Sequence, residues 1–431
     1  MPNQASARAR RFRAYVERLT TALGHQDRHG PLRDYVTGLC LPGERKSIEP
    51  MAARVDPRHV RARHQSMHHF IANAGWDDAA VLRVAREIVL AALEDHGPVA
   101  AWVVDDTGIP KKGSHSVGVA RQYCGVLGKQ DNCQVAVSVS VAHERASVPV
   151  AYRLYLPDVW AKDRPRRRAV GVPETIEFRP KWQIALEQIT QLRSEGVPAA
   201  PVVADAGYGV VTAFRDALTA QGLAYAVGVS TETSVWGPGR APLPPRKYGG
   251  VGRPPTLLRR TRRHRPVRVE TLAKRLPASA WRTVTWRPGT RGAMRSRFAA
   301  VRVRPAHRDD WRSTPRPEEW LLIEWPPTEA APTKYWLSTL PPTATRGELV
   351  QLAMVRWRIE RDYQELKDEL GLDHFEGRGW RGFHHHASLC IAAYAFLAAE
   401  RLAHFPPAPL AFLRPARLPK GFTPRGAPSA S

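Results

Sequence analysis

Val99-Ala-Ala-Trp-Val-Val104, closed by Asp105-Asp106, marks the point where the chain changes its period. Upstream, Val81, Leu82, Ala85, Ile88, Val89 and Ala92 recur at helical spacing until Gly97 and Pro98 stop the helix. Downstream, 134–141 alternates valine with alanine or serine and 148–156 is a further apolar run. Three consecutive strands are therefore predicted over 99–104, 134–141 and 148–156. A helix over 181–192 follows, then a strand over 201–205, a helix over 211–218 and a strand over 224–229.

Three strands and then helix–strand–helix–strand predict an α/β fold. The order is that of a ribonuclease-H-like core, a mixed sheet flanked by helices. Residues 1–96 read as an N-terminal helical DNA-binding domain, with Pro57 opening one of its helices. The core, 97–229, resumes at 346–405 after an interruption. Between them, 230–345 is rich in proline, arginine and tryptophan, with short alternating runs that predict an inserted β-rich domain. Aromatics interleaved with arginines can stack bases and grip phosphates, or fill a small core. The tail, 406–431, is proline-rich and is expected to be disordered.

Three acids stand where strand ends and a helix would bring them together. Neighbours on a strand face opposite ways, so only one of Asp105 and Asp106 can enter a shared site. Asp106 is assigned that place and Asp105 that of an N-cap or loop anchor; the converse, with the register shifted by one, is the alternative. Asp205 ends the second strand, before Gly207 and Gly209, at the carboxyl edge where open α/β sheets collect ligands. In Arg356-Trp-Arg-Ile-Glu360-Arg-Asp-Tyr363-Gln-Glu-Leu-Lys367, a helix places Arg356, Glu360, Tyr363 and Lys367 within roughly 60° of one another. Carboxylates from two strands and one helix are how a protein holds paired divalent metals for phosphodiester chemistry.

The 431-residue chain carries 65 Lys and Arg against 40 Asp and Glu, a formal charge of +25. That excess predicts a polyanionic partner and salt-sensitive binding. In the first helix Arg8, Arg10, Arg11, Arg13 and Arg18 form either a phosphate-contacting face or a solvated one. Cys40, Cys124, Cys133 and Cys390 make no C-x-x-C pair, which argues against a zinc ribbon or disulfide framework and for a reducing cytosol. No stretch is long and apolar enough to span a bilayer, so a cytoplasmic protein is expected.

Arg356-x3-Glu360-x6-Lys367 resembles the Tyr-x2-Arg-x3-Glu-x6-Lys signature of the DDE transposases of bacterial insertion sequences, with Ala353 where that signature has tyrosine. Asp106-Thr107 and Ala204-Asp205 are similar to the first and second catalytic motifs of the same group. Gly43 to Pro50, Gly108 to Gly113, Arg121 to Gly125 and Gly371 to Gly377 extend the likeness over nearly the whole chain. The resemblance implies that Asp106, Asp205 and Glu360 hold two Mg²⁺ ions, for which Mn²⁺ can substitute. It further implies that Arg356, Lys367, Lys111 and Lys112 hold phosphates, and Tyr363 could take over the contact of the missing tyrosine. The partners implied are double-stranded DNA, as terminal inverted repeats and target, and a second copy of the chain in a nucleoid-associated synaptic dimer. A metal-dependent nuclease without strand transfer and an inactive, transposase-derived DNA-binding protein are the rival readings. His384, His385 and His386 are assigned to a helix start or a DNA contact rather than to a metal.

Overall fold

The computed structural model of the protein describes residues 2–289 and 292–404; the tail from 406 lies outside them. Five helices lead: α1 (Pro2–Thr20), α2 (His29–Cys40), α3 (Ile48–Val55), α4 (Val60–Ala72) and α5 (Asp78–Glu94). Pro57 does not open a helix. It lies in a turn held by Asp56, which accepts from His59 Nδ1 at 3.1 Å and Arg63 Nε at 3.2 Å, and α4 begins only at Val60.

Four strands follow, β1 (Ala101–Pro110), β2 (Ala120–Cys124), β3 (Lys129–Ala142) and β4 (Ser147–Leu154). Then come α6 (Asp158–Ala161), α7 (Arg164–Ala169), α8 (Lys181–Ser194), β5 (Val202–Ala204), α9 (Ala206–Gly209), α10 (Thr212–Ala220) and β6 (Tyr225–Val229). The long β3 is antiparallel to β1, β2 and β4, while β5 runs parallel to both β1 and β6. The core order is thus β4-β3-β1-β5-β6, a mixed sheet flanked by helices of the ribonuclease-H-like kind. β1 runs well past the expected end at Val104, and both aspartates lie inside it, paired with Ser138 and Val137 of β3.

The stretch 230–345 supplies β7 (Ser234–Trp236), β8 (Val267–Arg268), α11 (Val269–Lys274), β9 (Arg282–Gly289), β10 (Gly292–Pro305), β11 (Glu319–Trp325) and β12 (Lys334–Ser338). Because β12 pairs antiparallel with β6, the insertion prolongs the core sheet instead of standing apart from it. After it come α12 (Arg346–Met354), α13 (Trp357–Asp368) and α14 (Trp380–His404). The Thr345–Glu348 capping box starts α12, and the chain turns at Val355 and Arg356, so the helix expected over 347–370 is two.

The sheet separates two apolar cores. On one face Ala101, Val103 and Ile109 pack with Ile359, Tyr363 and Leu366 of α13, with α14 and with α1 to α5. On the other, Trp102, Val104 and Ala204 pack with α8 and α10. The N-terminal helices therefore share a core with α14. Tyr15 Oη donates to the Ala392 carbonyl at 2.6 Å, and Arg11 forks onto Glu400 at 2.6 and 2.7 Å. Arg11 is thus committed to the fold, not to phosphate.

Candidate active site

Asp105 and Asp205 come from neighbouring parallel strands. Val104 pairs with Ala204, so each aspartate is the next residue along its own chain. After Asp205 the chain enters the single turn α9, and Asp205 Oδ1 accepts from Gly207 N at 2.9 Å and Tyr208 N at 3.4 Å. This turn presses so closely on β6 that a Cβ on Gly209 would collide with the Gly228 carbonyl oxygen. Of the two glycines predicted to permit a tight turn, Gly209 does so by letting two backbones meet.

Residue parity decides which aspartate shares a face with α13. Asp105 follows Val103 onto the α13 side, where its Oδ2 accepts from Arg356 at 2.6 Å. Arg356 also donates to Glu360 at 3.0 Å, so one guanidinium ties the β1 carboxylate to the α13 carboxylate. Asp106, expected to point into the site, follows Val104 towards α8 instead and pairs with Lys181 at that helix's first residue. The reason is the pleat: β1 stays regular through Pro110, so the two side chains must diverge. Asp105 is buried and Glu360 is exposed.

The electrostatics follow the burial. Desolvation pushes the Asp105 carboxyl up to about 7; Arg356 opposes this, while Asp205 and Asp106 add to it. Acids crowded together with too few cations are a charge deficit that a hard divalent ion would relieve, and every donor in the set is a carboxylate oxygen. Asp105, Asp205 and Glu360 therefore fit Mg²⁺ chemically. Among the described residues no three His, Cys, Asp or Glu side chains converge into a metal cage as they stand, and Arg356 lies between two of the acids.

Three residues expected to hold phosphate are committed elsewhere. Tyr363 is buried, its hydroxyl against Ser138 Oγ. Lys367 is buried and donates to the Gly108 carbonyl at 2.9 Å, with its pKa lowered by that burial. Lys111 donates to Phe375 O at 2.7 Å, and burial lowers its pKa too. All share the predicted neighbourhood, but they brace β1 and the loop after α13. Lys112 is exposed. Ala353 is buried in a small core of α12 against β10 to β12, so no side chain there reaches the acids.

Sequence reasoning missed Lys181, which carries no local signal: only the packing of α8 against β3, the strand beside β1, brings it to Asp106. It also missed Asp362, which accepts from Ser147 at 2.5 Å and Tyr394 at 2.9 Å and anchors α13. The histidines form part of α14, as assigned, and all three are buried. His385 bonds to the Ile71 and Trp76 carbonyls, and His386 lies between Tyr35 Oη at 2.8 Å and Gly371 O at 2.9 Å.

A family model described as DDE superfamily endonuclease matches residues 18–293, which includes both strand aspartates and stops short of Glu360. A probable transposase for insertion sequence element IS701 from Microchaete diplosiphon is 34% identical over 145 residues, 34% of this chain and 35% of that protein. The chain thus spans about a third of that relative's length. No described helix is long and apolar enough to cross a membrane. With the family model covering most of the chain and the sheet in the matching order, the protein belongs to the DDE superfamily of endonucleases.

Proposed function

We propose that the protein is the transposase of an insertion sequence: it binds terminal inverted repeats, cuts the DNA ends and joins them to target DNA, working as a dimer. The observation that carries this reading is the linkage of Asp105 through Arg356 to Glu360, with Asp205 on the adjacent parallel strand. Asp105, rather than Asp106, completes the acidic triad. A pair of Mg²⁺ ions, when bound, would activate the attacking water or 3′-hydroxyl and stabilise the leaving oxygen.

The chain's own residues do the rest. Asp105 is held within β1 and Asp205 just past the end of β5, and the exposed Glu360 on the first turn of α13 is joined to Asp105 through Arg356. Arg356 lies at the mouth of the site, where a guanidinium released from Asp105 can fork onto a phosphate. Lys181 keeps Asp106 neutralised beside the site. Lys112 is an exposed cation for the flanking backbone.

The test is a plasmid bearing the gene with its flanking DNA, incubated with protein and Mg²⁺ or Mn²⁺. Release of the element and joining of pre-cleaved ends to a second plasmid are expected. Cleavage without joining would establish the nuclease reading instead, and binding without either would establish the inactive one.

A further inference from the structure

Three large apolar side chains stand exposed within five residues at the tip of the β2–β3 hairpin, Tyr123 near the end of β2 and Val126 and Leu127 on the turn. Tyr123 is 61% exposed, Val126 60% and Leu127 42%. Turns are ordinarily polar, and clustered exposed apolar groups mark a contact surface. This tip is not loose. β2 pairs with β3 from Ala120↔Cys133 to Cys124↔Lys129, Gln122 Nε2 donates to Cys133 O at 2.9 Å, and Gly128 closes the turn at φ +62°.

The tip is also tied to the strand that carries the acids. A Cβ on Gly108 would lie 2.7 Å from Cys124 Sγ, so the foot of the tip rests on β1 just beyond Asp105 and Asp106. The Gly108 carbonyl is itself fixed by Lys367 from α13. Cations flank the tip. Arg121 and Lys129 are exposed, and the exposed Lys112 follows Lys111, whose backbone pairs with Asn132 of β3. The single acid of the hairpin, Asp131, is paired with Lys129 at 3.2 Å.

Resting on the DNA-cleavage reading above, we propose that Tyr123, Val126 and Leu127 form a wedge that enters duplex DNA beside the phosphate to be cut. The wedge parts the base step there, and Arg121, Lys112 and Lys129 hold the neighbouring phosphates. Apolar side chains driven between base steps unstack and bend a duplex, which exposes backbone that a straight helix keeps close to its partner strand. The surrounding positive charge selects DNA as the occupant over a second apolar protein surface.

The experiment uses the full chain and a terminal-repeat duplex with 2-aminopurine at the steps flanking the cut. In Ca²⁺, to allow binding without cleavage, the wild-type protein should raise the fluorescence about threefold or more as the base unstacks. The variant Tyr123→Ser/Val126→Ser/Leu127→Ser should keep its melting temperature and bind the duplex within about threefold, yet lose the fluorescence rise. It should cut paired DNA about tenfold more slowly and recover on a duplex already mismatched at that step. Should the triple variant fail to fold, Leu127→Ser alone is read in the same way. A variant that unstacks like wild type, stays equally slow on mismatched DNA, or loses self-association instead overturns the wedge. Wild-type protein that cuts without any fluorescence rise also overturns it, whereas protein that neither binds nor cuts the repeat overturns the cleavage reading.

Discussion

Asp105 and Asp106 are adjacent in sequence and divergent in their partners, Arg356 for the first and Lys181 for the second. Asp105→Asn should reduce cleavage on the order of 10³-fold, since a lost metal carboxylate is worth several kcal/mol of transition-state stabilisation. Asp106→Asn should cost less than about tenfold, because its partner is Lys181 and not the α13 face. Single-turnover rates on one substrate check both, and the reverse order would return Asp106 to the site. The helical period correctly grouped Arg356, Glu360, Tyr363 and Lys367, yet a period identifies a face without saying what that face meets. Here the first turn of α13 meets the acids and the later turns meet β1 and β3, so Tyr363 and Lys367 were readable as neighbours but not as braces. Lys367→Met should accordingly lower stability by about 1–3 kcal/mol, the cost of leaving the Gly108 carbonyl unpaired. Chemical denaturation measures this; an unchanged midpoint with weakened DNA binding would restore a phosphate role.

At the scale of elements, long periodic segments were legible and their joints were not. α5, α8 and β6 fall close to the predicted spans, because a single period runs through each, whereas β3 begins at Lys129, five residues before the expected start. The break at Val355–Arg356 and the β2 hairpin were invisible, since each depends on contacts made by distant residues. The histidines of α14 illustrate the limit, for their partners are carbonyls and a tyrosine hydroxyl far away in the chain. Burial pushes His385 and His386 down to about 4. In the unfolded chain both take protons near pH 6.5, so the unfolded state binds more protons between about 6.5 and 4 and stability falls as pH drops through that window. The melting temperature should therefore decline from pH 7 to pH 4.5, and more steeply than in His385→Gln/His386→Gln. Parallel profiles for the two proteins would refute the burial account. In the insertion, Trp236 is buried against Asp309, whereas Trp311 is 68% exposed with Arg308 over its ring at 4.9 Å. Trp311→Ala should weaken DNA binding about fivefold without moving the melting temperature, in keeping with loss of one stacked base. Unchanged affinity would make Trp311 a bystander.

At the scale of the molecule, the expected helical, catalytic and inserted parts are joined more tightly than composition suggested. One core runs from α1 through α14 to β1, and one sheet runs from β2 to β8. Composition reports where apolar and basic residues lie; it does not report that β12 pairs with β6, which is what fuses the insertion to the core. The net charge of +25 should still make DNA affinity fall steeply with salt, and a log–log slope near zero would argue against a nucleic-acid partner. The central proposal is that Asp105, Asp205 and Glu360 act as one metal-holding set. The direct measurement is isothermal titration of Mg²⁺ or Mn²⁺ into the wild-type protein with terminal-repeat DNA bound, beside Asp105→Asn, Asp205→Asn, Glu360→Gln and Asp106→Asn. The first three substitutions should each abolish or strongly weaken metal uptake while the fourth leaves it near wild type. Normal uptake in Asp105→Asn together with loss in Asp106→Asn would contradict it.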